Sequence, residues 1–261
     1  MTWWPRTALT RVLLSGITAA AAITVTAVTP ATASPTQVSC NRWQALHVTG
    51  IADQPLVVRN KPSINDNDHG MCLSVPGKDG AFTVVRSPGT ATSPTVRAYP
   101  YIGTGCFEGA CSSAGQGKLP RAAALGNYTV NWATSTPRDS GIWDDSLDIW
   151  CGPRSGVGTY EIMIWLQYSG PQWWAGLFPK VWIDGAQWYE VPHATADGRY
   201  YISFRRASPV RSASLRLAPF MAKAKHIGMI NSSALMWAVQ AGFEIWSGGQ
   251  GLAVTRFSVT G

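Results

Sequence analysis

Short segments rich in β-branched and aromatic residues recur along the chain, and clusters of Gly, Pro, Asn, Asp and Ser separate most of them. Segments of this length and spacing predict an all-β sandwich or jelly roll. They cover 56–59, 82–86, 128–132, 143–151, 160–168, 178–183, 200–204 and 252–259. One helix is predicted over about 219–227, because Pro219 suits the first turn of a helix and the basic residues near its end suit the last turn.

The N-terminal segment is typical of an export signal. A positively charged start is followed by an apolar stretch over 12–28 and by Ala31-Thr32-Ala33, the small-residue pattern that a signal peptidase needs. A membrane anchor fits less well, because the apolar run is short and is stopped by Pro30. We therefore predict a secretory signal peptide over 1–33, a single domain over 34–261, and an extracellular location.

All five cysteines follow the predicted signal, at positions 40, 72, 106, 111 and 151. Export permits disulfides, but spacing alone leaves their pairing open. A lipid anchor on Cys40 fits less well, because the residues before it lack the usual Leu.

The formal net charge is +7, and part of the excess base lies between 199 and 225. No nucleic-acid motif accompanies it, so a solvated surface is the favoured interpretation. The chain has no CxxC or HExxH motif, and its four histidines are scattered. Neither a metal site nor a cofactor is therefore predicted. We expect no nucleic-acid partner, no stable membrane association and a monomeric protein.

The segment Tyr160-Glu161-Ile162-Met163-Ile164-Trp165-Leu166 places a carboxylate in an apolar strand. Because side chains in a strand alternate between faces, Tyr160 and the aliphatic residues at 162, 164 and 166 share one face, which is predicted to be core. Glu161, Met163 and Trp165 share the other face. A carboxylate beside Met and Trp is unusual for a solvent-exposed face. It fits the wall of a cleft in which aromatic rings stack on sugars.

Two further segments, 239–246 and 144–151, repeat this pattern. The faces opposite their apolar ones carry Gln240, Gly242, Glu244 and Trp246 in the first segment and Asp144, Ser146, Asp148 and Trp150 in the second. Cys151 falls on the apolar face. It is the candidate for the cysteine left unpaired, buried as a small apolar residue.

Taken singly, an acid in an apolar strand more often lies at an edge or faces solvent. Three strands that each combine an acid with a tryptophan favour a carboxylate cluster in an aromatic cleft. Glycoside hydrolysis needs one protonated carboxyl group to release the leaving oxygen and one ionised carboxylate as nucleophile or base. The environment of each group decides which one keeps its proton. Glu161 and Glu244 are therefore the predicted catalytic pair.

At these residues the chain resembles glycoside hydrolase family 12, the small secreted endoglucanases and xyloglucanases. The motif Glu161-Ile162-Met163-Ile164-Trp165 resembles the family's nucleophile strand. The motif Gln240-Ala241-Gly242-Phe243-Glu244-Ile245-Trp246, with 248–254, resembles its acid/base strand and the strand after it. Leu147-Asp148-Ile149-Trp150 is similar to the strand whose aspartate contacts the nucleophile. Segments 99–100 and 106–111 resemble a disulfide loop of bacterial members, and 39–43 resembles the mature N-terminus.

The resemblance implies a β-jelly roll of two curved antiparallel sheets, with an open concave cleft and one helix packed outside. It implies that Glu161 is the nucleophile and Glu244 the general acid/base, with retention of configuration, while Asp148 orients Glu161. The implied cleft residues are Trp43, Met163 and Trp165, and the implied disulfides are Cys40 with Cys72 and Cys106 with Cys111. The implied partner is a β-glucan polysaccharide.

The chain departs from the family at one sugar platform. Family members usually carry Asn-Asn-x-Trp-Gly, whose Trp stacks on a glucose at the non-reducing side, whereas this chain has Arg59-Asn60-Lys61-Pro62-Ser63. Only Asn60 survives, and it is retained as a predicted substrate contact. Trp173 and Trp174 are candidates for a replacement platform. Packing in the interior or a place on a hydrophobic rim is an equally supported interpretation of these two residues.

We favour a retaining endo-β-1,4-glucanase that acts on cellulose-like or related β-glucans. A xyloglucan-specific endoglucanase is one alternative, and a non-catalytic carbohydrate-binding jelly-roll protein is another, because of the altered platform. A xylanase is a further alternative, but the residues that flank the two glutamates resemble the glucanase motifs instead.

Overall fold

The computed structural model describes residues 35–62, 70–91, 96–113, 128–152, 159–172, 174–194 and 200–261. The predicted signal peptide lies outside these residues, as does Trp173. Within them the strands are β1 Gln37–Ser39, β2 Ala45–Thr49, β3 Pro55–Arg59, β4 Cys72–Val75, β5 Phe82–Arg86, β6 Tyr101–Phe107, β7 Ala110–Cys111, β8 Thr129–Ser135, β9 Gly141–Gly152, β10 Tyr160–Ser169, β11 Lys180–Ile183, β12 Ala186–Ala194, β13 Tyr200–Arg206, β14 Ser212–Arg216, β15 Leu235–Gly248 and β16 Ala253–Thr260. A 3-10 turn spans Ile51–Asp53, and the helix α1 spans Leu217–His226.

The strands form two large sheets. The smaller sheet has the order β1-β4-β5-β16-β8-β14, and the larger has the order β11-β12-β13-β10-β9-β15-β6-β3-β2, with β7 paired to β6. Most neighbours are antiparallel, but β10 and β13 are parallel, with Glu161 opposite Tyr201. The predicted jelly roll of two sheets is confirmed, and this parallel pair is a local departure from its antiparallel pairing. A crossover through β11 and β12 brings β13 back beside β10 in the same direction.

The predicted apolar faces form the interior between the sheets. In β10, residues Ile162, Ile164 and Leu166 are fully buried. The core faces of β9 and β15 are equally inaccessible and comprise Leu147, Ile149, Cys151, Val239, Ala241, Phe243 and Ile245. They pack with residues of the smaller sheet such as Trp132 and Phe257. Because side chains alternate along three neighbouring strands, the other face of the larger sheet points away from the interior between the sheets.

Helix α1 covers part of the apolar face of the larger sheet. It begins two residues before the predicted start, and Pro219 lies in its first turn. The ring of Phe220 meets Trp188 of β12 at 5.1 Å and Phe204 of β13 at 5.5 Å between centroids. Because Phe204 alternates with Ser203 and Arg205, the helix packs on the face opposite those two residues.

Two disulfides join the pairs that the family resemblance implied. Cys40 is bonded to Cys72 at the start of β4, and Cys106 is bonded to Cys111 across the β6–β7 hairpin. Cys151 is free and buried. In the part of the chain that the structure describes, no helix is long and apolar enough to cross a membrane.

Candidate active site

The site is built on β9 and its two neighbours in the larger sheet. Asp148 of β9 stands opposite Met163 of β10 on one side and opposite Gln240 of β15 on the other. The cleft above this face has a volume of about 640 Å³. Its lining residues are Trp43, Arg59, Lys61, Pro62, Val96, Ala98, Tyr99, Glu108, Asp148, Trp150, Glu161 and Glu244. The two predicted glutamates and Asp148 therefore share one cleft.

Glu161 and Asp148 form the first pair of acids. Their carboxyl groups are hydrogen bonded, and the hydroxyl of Ser146 donates to Asp148 Oδ1 at 2.8 Å. Burial raises the pKa of Asp148 to about 6, against the lowering effect of hydrogen bonds from Ser146, Tyr99 and Glu161. The pKa of Glu161 is raised well above its usual range, first by burial and then by the negative charges of Asp148 and Glu244. The two carboxyl groups therefore hold a proton between them.

Glu244 and Asp144 form the second pair. They are directly opposite each other in β15 and β9, and their carboxyl groups lie within hydrogen-bonding range of each other. Burial raises the pKa of Glu244 to about 7, with the charge of Asp148 as the next cause, while the hydrogen bond with Asp144 acts to lower it. At neutral and mildly acidic pH, Glu244 is therefore able to hold a proton.

The four acids differ in access to the cleft. Glu161 and Glu244 are half-buried and line it. Asp144 is 1% exposed and Asp148 is 2% exposed. A ligand in the cleft can therefore reach both glutamates, while each aspartate acts mainly through the glutamate it contacts.

Two cations, Lys61 and Arg205, act on the acids. Lys61 lies 2.9 Å from the carboxylate of Glu108 and 5.7 Å from the ring centre of Trp150, and its charge opposes the rise in the pKa of Glu161. Arg205 of β13 opposes the rise in the pKa of Asp144 and Glu244. Burial lowers the pKa of Arg205 itself to about 10. The charge of Lys61 thus acts on both pairs, and Glu244 responds to Lys61 and Arg205 together.

Two predicted substrate contacts near the N-terminus occupy different environments. Trp43 is 37% exposed and lines the cleft, with the guanidinium of Arg59 at 5.3 Å from its ring centre. Asn60 is only 3% exposed, and its Nδ2 donates to the carbonyl of Met71 at 2.9 Å. The side chain of Asn60 is thus directed to the backbone of a neighbouring segment. This environment favours a structural role for Asn60 over substrate contact.

The other predicted contacts, Met163, Trp165 and Trp174, are buried together with Val191. The rings of Trp165 and Trp174 meet edge to face at 5.5 Å, and the guanidinium of Arg205 lies 3.7 Å from the first ring centre and 4.2 Å from the second. Of the readings left open for Trp174, the structure favours buried packing. These side chains hold Arg205 in place beside the second pair of acids.

Sequence reasoning did not identify several residues of this site. Lys61 and Glu108 lie in segments that were compared with the family without being chosen as site residues, and Arg205 follows a predicted strand. Only the fold brings these three residues near the acids. Asp144 did carry a signal, because alternation along β9 places it on the face of Asp148. Within the described ranges, no group of three or more His, Cys, Asp or Glu residues has an arrangement suited to a metal ion.

A sequence profile described as glycosyl hydrolase family 12 matches residues 90–260. The chain belongs to this family. The crystal structure of a metagenome-derived family 12 endoglucanase is 31% identical, has a TM-score of 0.76, and the match covers 87% of this chain and 97% of that one. Endoglucanase cel12A from Rhodothermus marinus is 32% identical with a TM-score of 0.74, over 87% of this chain and 98% of that one.

The probable cellulase Cel12b of Mycobacterium tuberculosis is 28% identical over 125 residues, which is 46% of this chain and 81% of that protein. These likenesses confirm the predicted family and the all-β jelly roll. Membership of family 12 makes the chain a glycoside hydrolase by family, and this family suggests a polysaccharide substrate.

Proposed function

We propose that this family 12 protein is a retaining endo-β-1,4-glucanase in which Glu161 is the nucleophile and Glu244 the general acid/base. One observation carries the proposal. Two partly accessible glutamates line the same cleft, and each is hydrogen bonded to a different buried aspartate. A retaining glycosidase needs two such carboxyl groups with different protonation states.

In the first step Glu244 gives its proton to the glycosidic oxygen while a carboxylate oxygen of Glu161 attacks the anomeric carbon. The bond to the leaving chain breaks, and a glycosyl ester with Glu161 forms. In the second step Glu244 removes a proton from water, which attacks the same carbon and releases Glu161 as a carboxylate. Two inversions at one carbon give net retention.

The electrostatic environment supports the acid role of Glu244, whereas burial works against an ionised Glu161. The pKa of Glu244, raised to about 7, allows it to carry a proton at mildly acidic pH. For attack by Glu161, the proton of the first pair must reside on Asp148, which then donates to the nucleophile and orients it. The charge of Lys61 favours the ionised form of Glu161.

The substrate class rests on the relatives, two of which are named endoglucanases. Trp43 is the exposed aromatic ring of the cleft and is assigned to stacking on a sugar. Xyloglucan is the second candidate substrate, because Pro62 lines the cleft where the family's usual tryptophan is missing. The smaller side chain leaves room for a branched glucan. A purely binding role is disfavoured, because a binder has no need for two paired glutamates.

The catalytic assignment is tested by Glu161→Ala and Glu244→Ala, assayed for reducing ends on mixed-linkage glucan, carboxymethyl cellulose, xyloglucan and xylan. Each variant is expected to lose roughly 10³-fold or more in kcat. Glu190→Ala is the matched control, because Glu190 pairs with Lys223 at 2.9 Å and does not line the cleft. Full activity in Glu161→Ala would end the assignment.

Stereochemistry and roles are tested separately. Proton NMR of fresh product is expected to show the β-anomer first. With an activated β-glycoside and azide, Glu161→Ala is expected to give the α-glycosyl azide and Glu244→Ala the β-glycosyl azide, because only the second variant still forms the ester. The opposite products would exchange the two roles.

Secretion is part of the proposal. Both disulfides suit an oxidising compartment, and we propose that residues 1–33 are removed on export. Expression of the full chain in an exporting host is expected to give a secreted protein that begins at Ser34. Retention of the first 33 residues in the secreted protein would contradict this.

A further inference from the structure

Asp144 is a buried acid that lacks ordinary hydrogen-bond donors. It is 1% exposed, and among the described residues no hydroxyl, amide or guanidinium group donates to either of its carboxyl oxygens. Its neighbour Asp145 shows the usual arrangement, since the hydroxyl of Thr134 and two N–H groups of Gln167 donate to it. A buried carboxylate without donors is costly. Asp144 must therefore be neutralised in another way.

The group that contacts Asp144 is the carboxyl group of Glu244, directly across from it in β15. An ionised carboxylate only accepts hydrogen bonds, so two carboxyl groups can bond to each other only if one of them is protonated. Like charges at such short range also disfavour loss of the last proton. The geometry thus demands at least one proton on the pair.

We propose that Asp144 and Glu244 share one proton, and that Asp144 is a positioning residue that keeps this proton available to Glu244 at alkaline pH. This inference rests on the proposed acid/base role of Glu244. Glu244 lines the cleft, whereas Asp144 does not. Asp144 therefore acts on the substrate only through Glu244.

The surrounding charges fit a pair with a single proton. The other charged and titratable groups that act on it are Asp148 of β9, Glu161 of β10, Arg205 and Tyr201 of β13, and Lys61 after β3. A pair with one proton has one negative charge, which the guanidinium of Arg205 balances. The negative charges of Asp148 and Glu161 oppose loss of the last proton, while Lys61 partly offsets them.

The two acids of the pair titrate differently, because their hydrogen bond raises the pKa of Asp144 and lowers that of Glu244. Burial, followed by the charge of Glu244, raises the pKa of Asp144 well above its usual range. The pKa of Glu244 is raised to about 7. The pair therefore keeps its last proton to a higher pH than Glu244 would keep one beside a neutral amide.

The kinetic test compares the pH dependence of kcat/KM on a soluble β-glucan for the wild type, Asp144→Asn and Asp145→Asn. The amide at 144 keeps the size and a hydrogen-bond donor but cannot share a titrating proton. We expect the alkaline limb of Asp144→Asn to move to lower pH by about one unit or more. Asp145→Asn, changed at the adjacent buried acid, should keep the limb of the wild type. An unmoved or upward-shifted limb in Asp144→Asn would overturn the proposal.

A second measurement uses the wild type alone and needs no activity. Carbon-13 NMR of side-chain carboxyl groups is expected to show Asp144 and Glu244 titrating together in two linked steps. Independent single-step titrations would overturn the shared proton even if the variant failed to fold. Linked titration in a protein without glucanase activity would instead reject the proposed function and leave the proton pair standing.

Discussion

Asp148 and Glu161 are hydrogen bonded through their carboxyl groups although they do not face each other directly across the strands. The register pairs Glu161 with Trp150 and Asp148 with Met163, so the contact is diagonal. The longer side chain must extend along β9 to reach its partner. The hydrogen bond therefore restrains the direction of the glutamate within the cleft.

Replacing Asp148 should reduce the rate of the chemical step more than substrate affinity. Asp148→Ala removes the restraint on Glu161 and is expected to lower kcat by roughly 10- to 100-fold, since small misplacements of a reacting group are costly. Asp148→Asn should retain more activity, because its amide can still donate to Glu161. The measurement is kcat and KM on a soluble β-glucan.

Ser146→Ala is the control for Asp148, because Ser146 donates to Asp148 and does not line the cleft. It is expected to cost much less in kcat than Asp148→Ala. A change confined to KM in Asp148→Ala would contradict the proposed orientation of Glu161.

The acidic face of the larger sheet was predictable because strand alternation is a local property. Three strands with acids opposite apolar residues placed Glu161, Glu244 and Asp148 on one side, and the sheet order then made those strands neighbours. Arg205 and Lys61 were not predictable in this way, because their approach to the acids depends on the register of distant strands. The prediction for Trp165 failed in a different way. Alternation predicted the correct face for its ring, but Trp174 packs against that ring and buries it.

Some strands lacked a clear sequence signal. Strand β6 contains Gly103 and Gly105, which weaken strand propensity. A Cβ at Gly103 would lie 2.7 Å from the carbonyl oxygen of Val239. Glycine is therefore required at this position because β15 approaches β6 closely, even though glycine has a low propensity for strands. Strand β12 contains Pro192, which argues against a strand when only the sequence is considered.

Trp43 and Asn60 should respond to substitution in different assays. Trp43→Ala removes the exposed ring and is expected to raise KM by roughly 2- to 12-fold, equivalent to about 0.5–1.5 kcal/mol of stacking. Asn60→Ala leaves the Met71 carbonyl without its donor and should lower the free energy of unfolding by about 1–3 kcal/mol, with little change in KM. Kinetics and urea unfolding of both variants test this. A raised KM with unchanged stability in Asn60→Ala would instead support the predicted contact between Asn60 and the substrate.

Asp145 is expected to make stability depend on pH. Burial raises its pKa to about 8, although hydrogen bonds from Gln167 and Thr134 oppose the rise. The folded protein then binds this proton more tightly than the unfolded chain does. Its contribution to stability is complete below the unfolded pKa of about 4 and is lost as pH rises through about 8. One such group contributes up to about 1.4 kcal/mol per pH unit.

The measurement is the free energy of unfolding in urea from pH 4 to pH 9 for the wild type and Asp145→Asn. Because the other buried acids titrate in both proteins, only the difference between the two curves reports on Asp145. The wild type is expected to lose free energy of unfolding relative to Asp145→Asn as pH rises. A constant difference across the range would show that Asp145 does not titrate there.

The two disulfides should differ in what their removal costs. Cys40 and Cys72 are 32 residues apart, whereas Cys106 and Cys111 are 5 apart. Loop-closure entropy predicts losses of about 4 and about 2 kcal/mol on replacing each pair by serine. The short hairpin also carries Glu108, which pairs with Lys61 in the cleft at 2.9 Å, so its serine variant should raise KM as well. Urea unfolding and kinetics of both double variants test this difference, and a larger stability loss for the hairpin pair would contradict it.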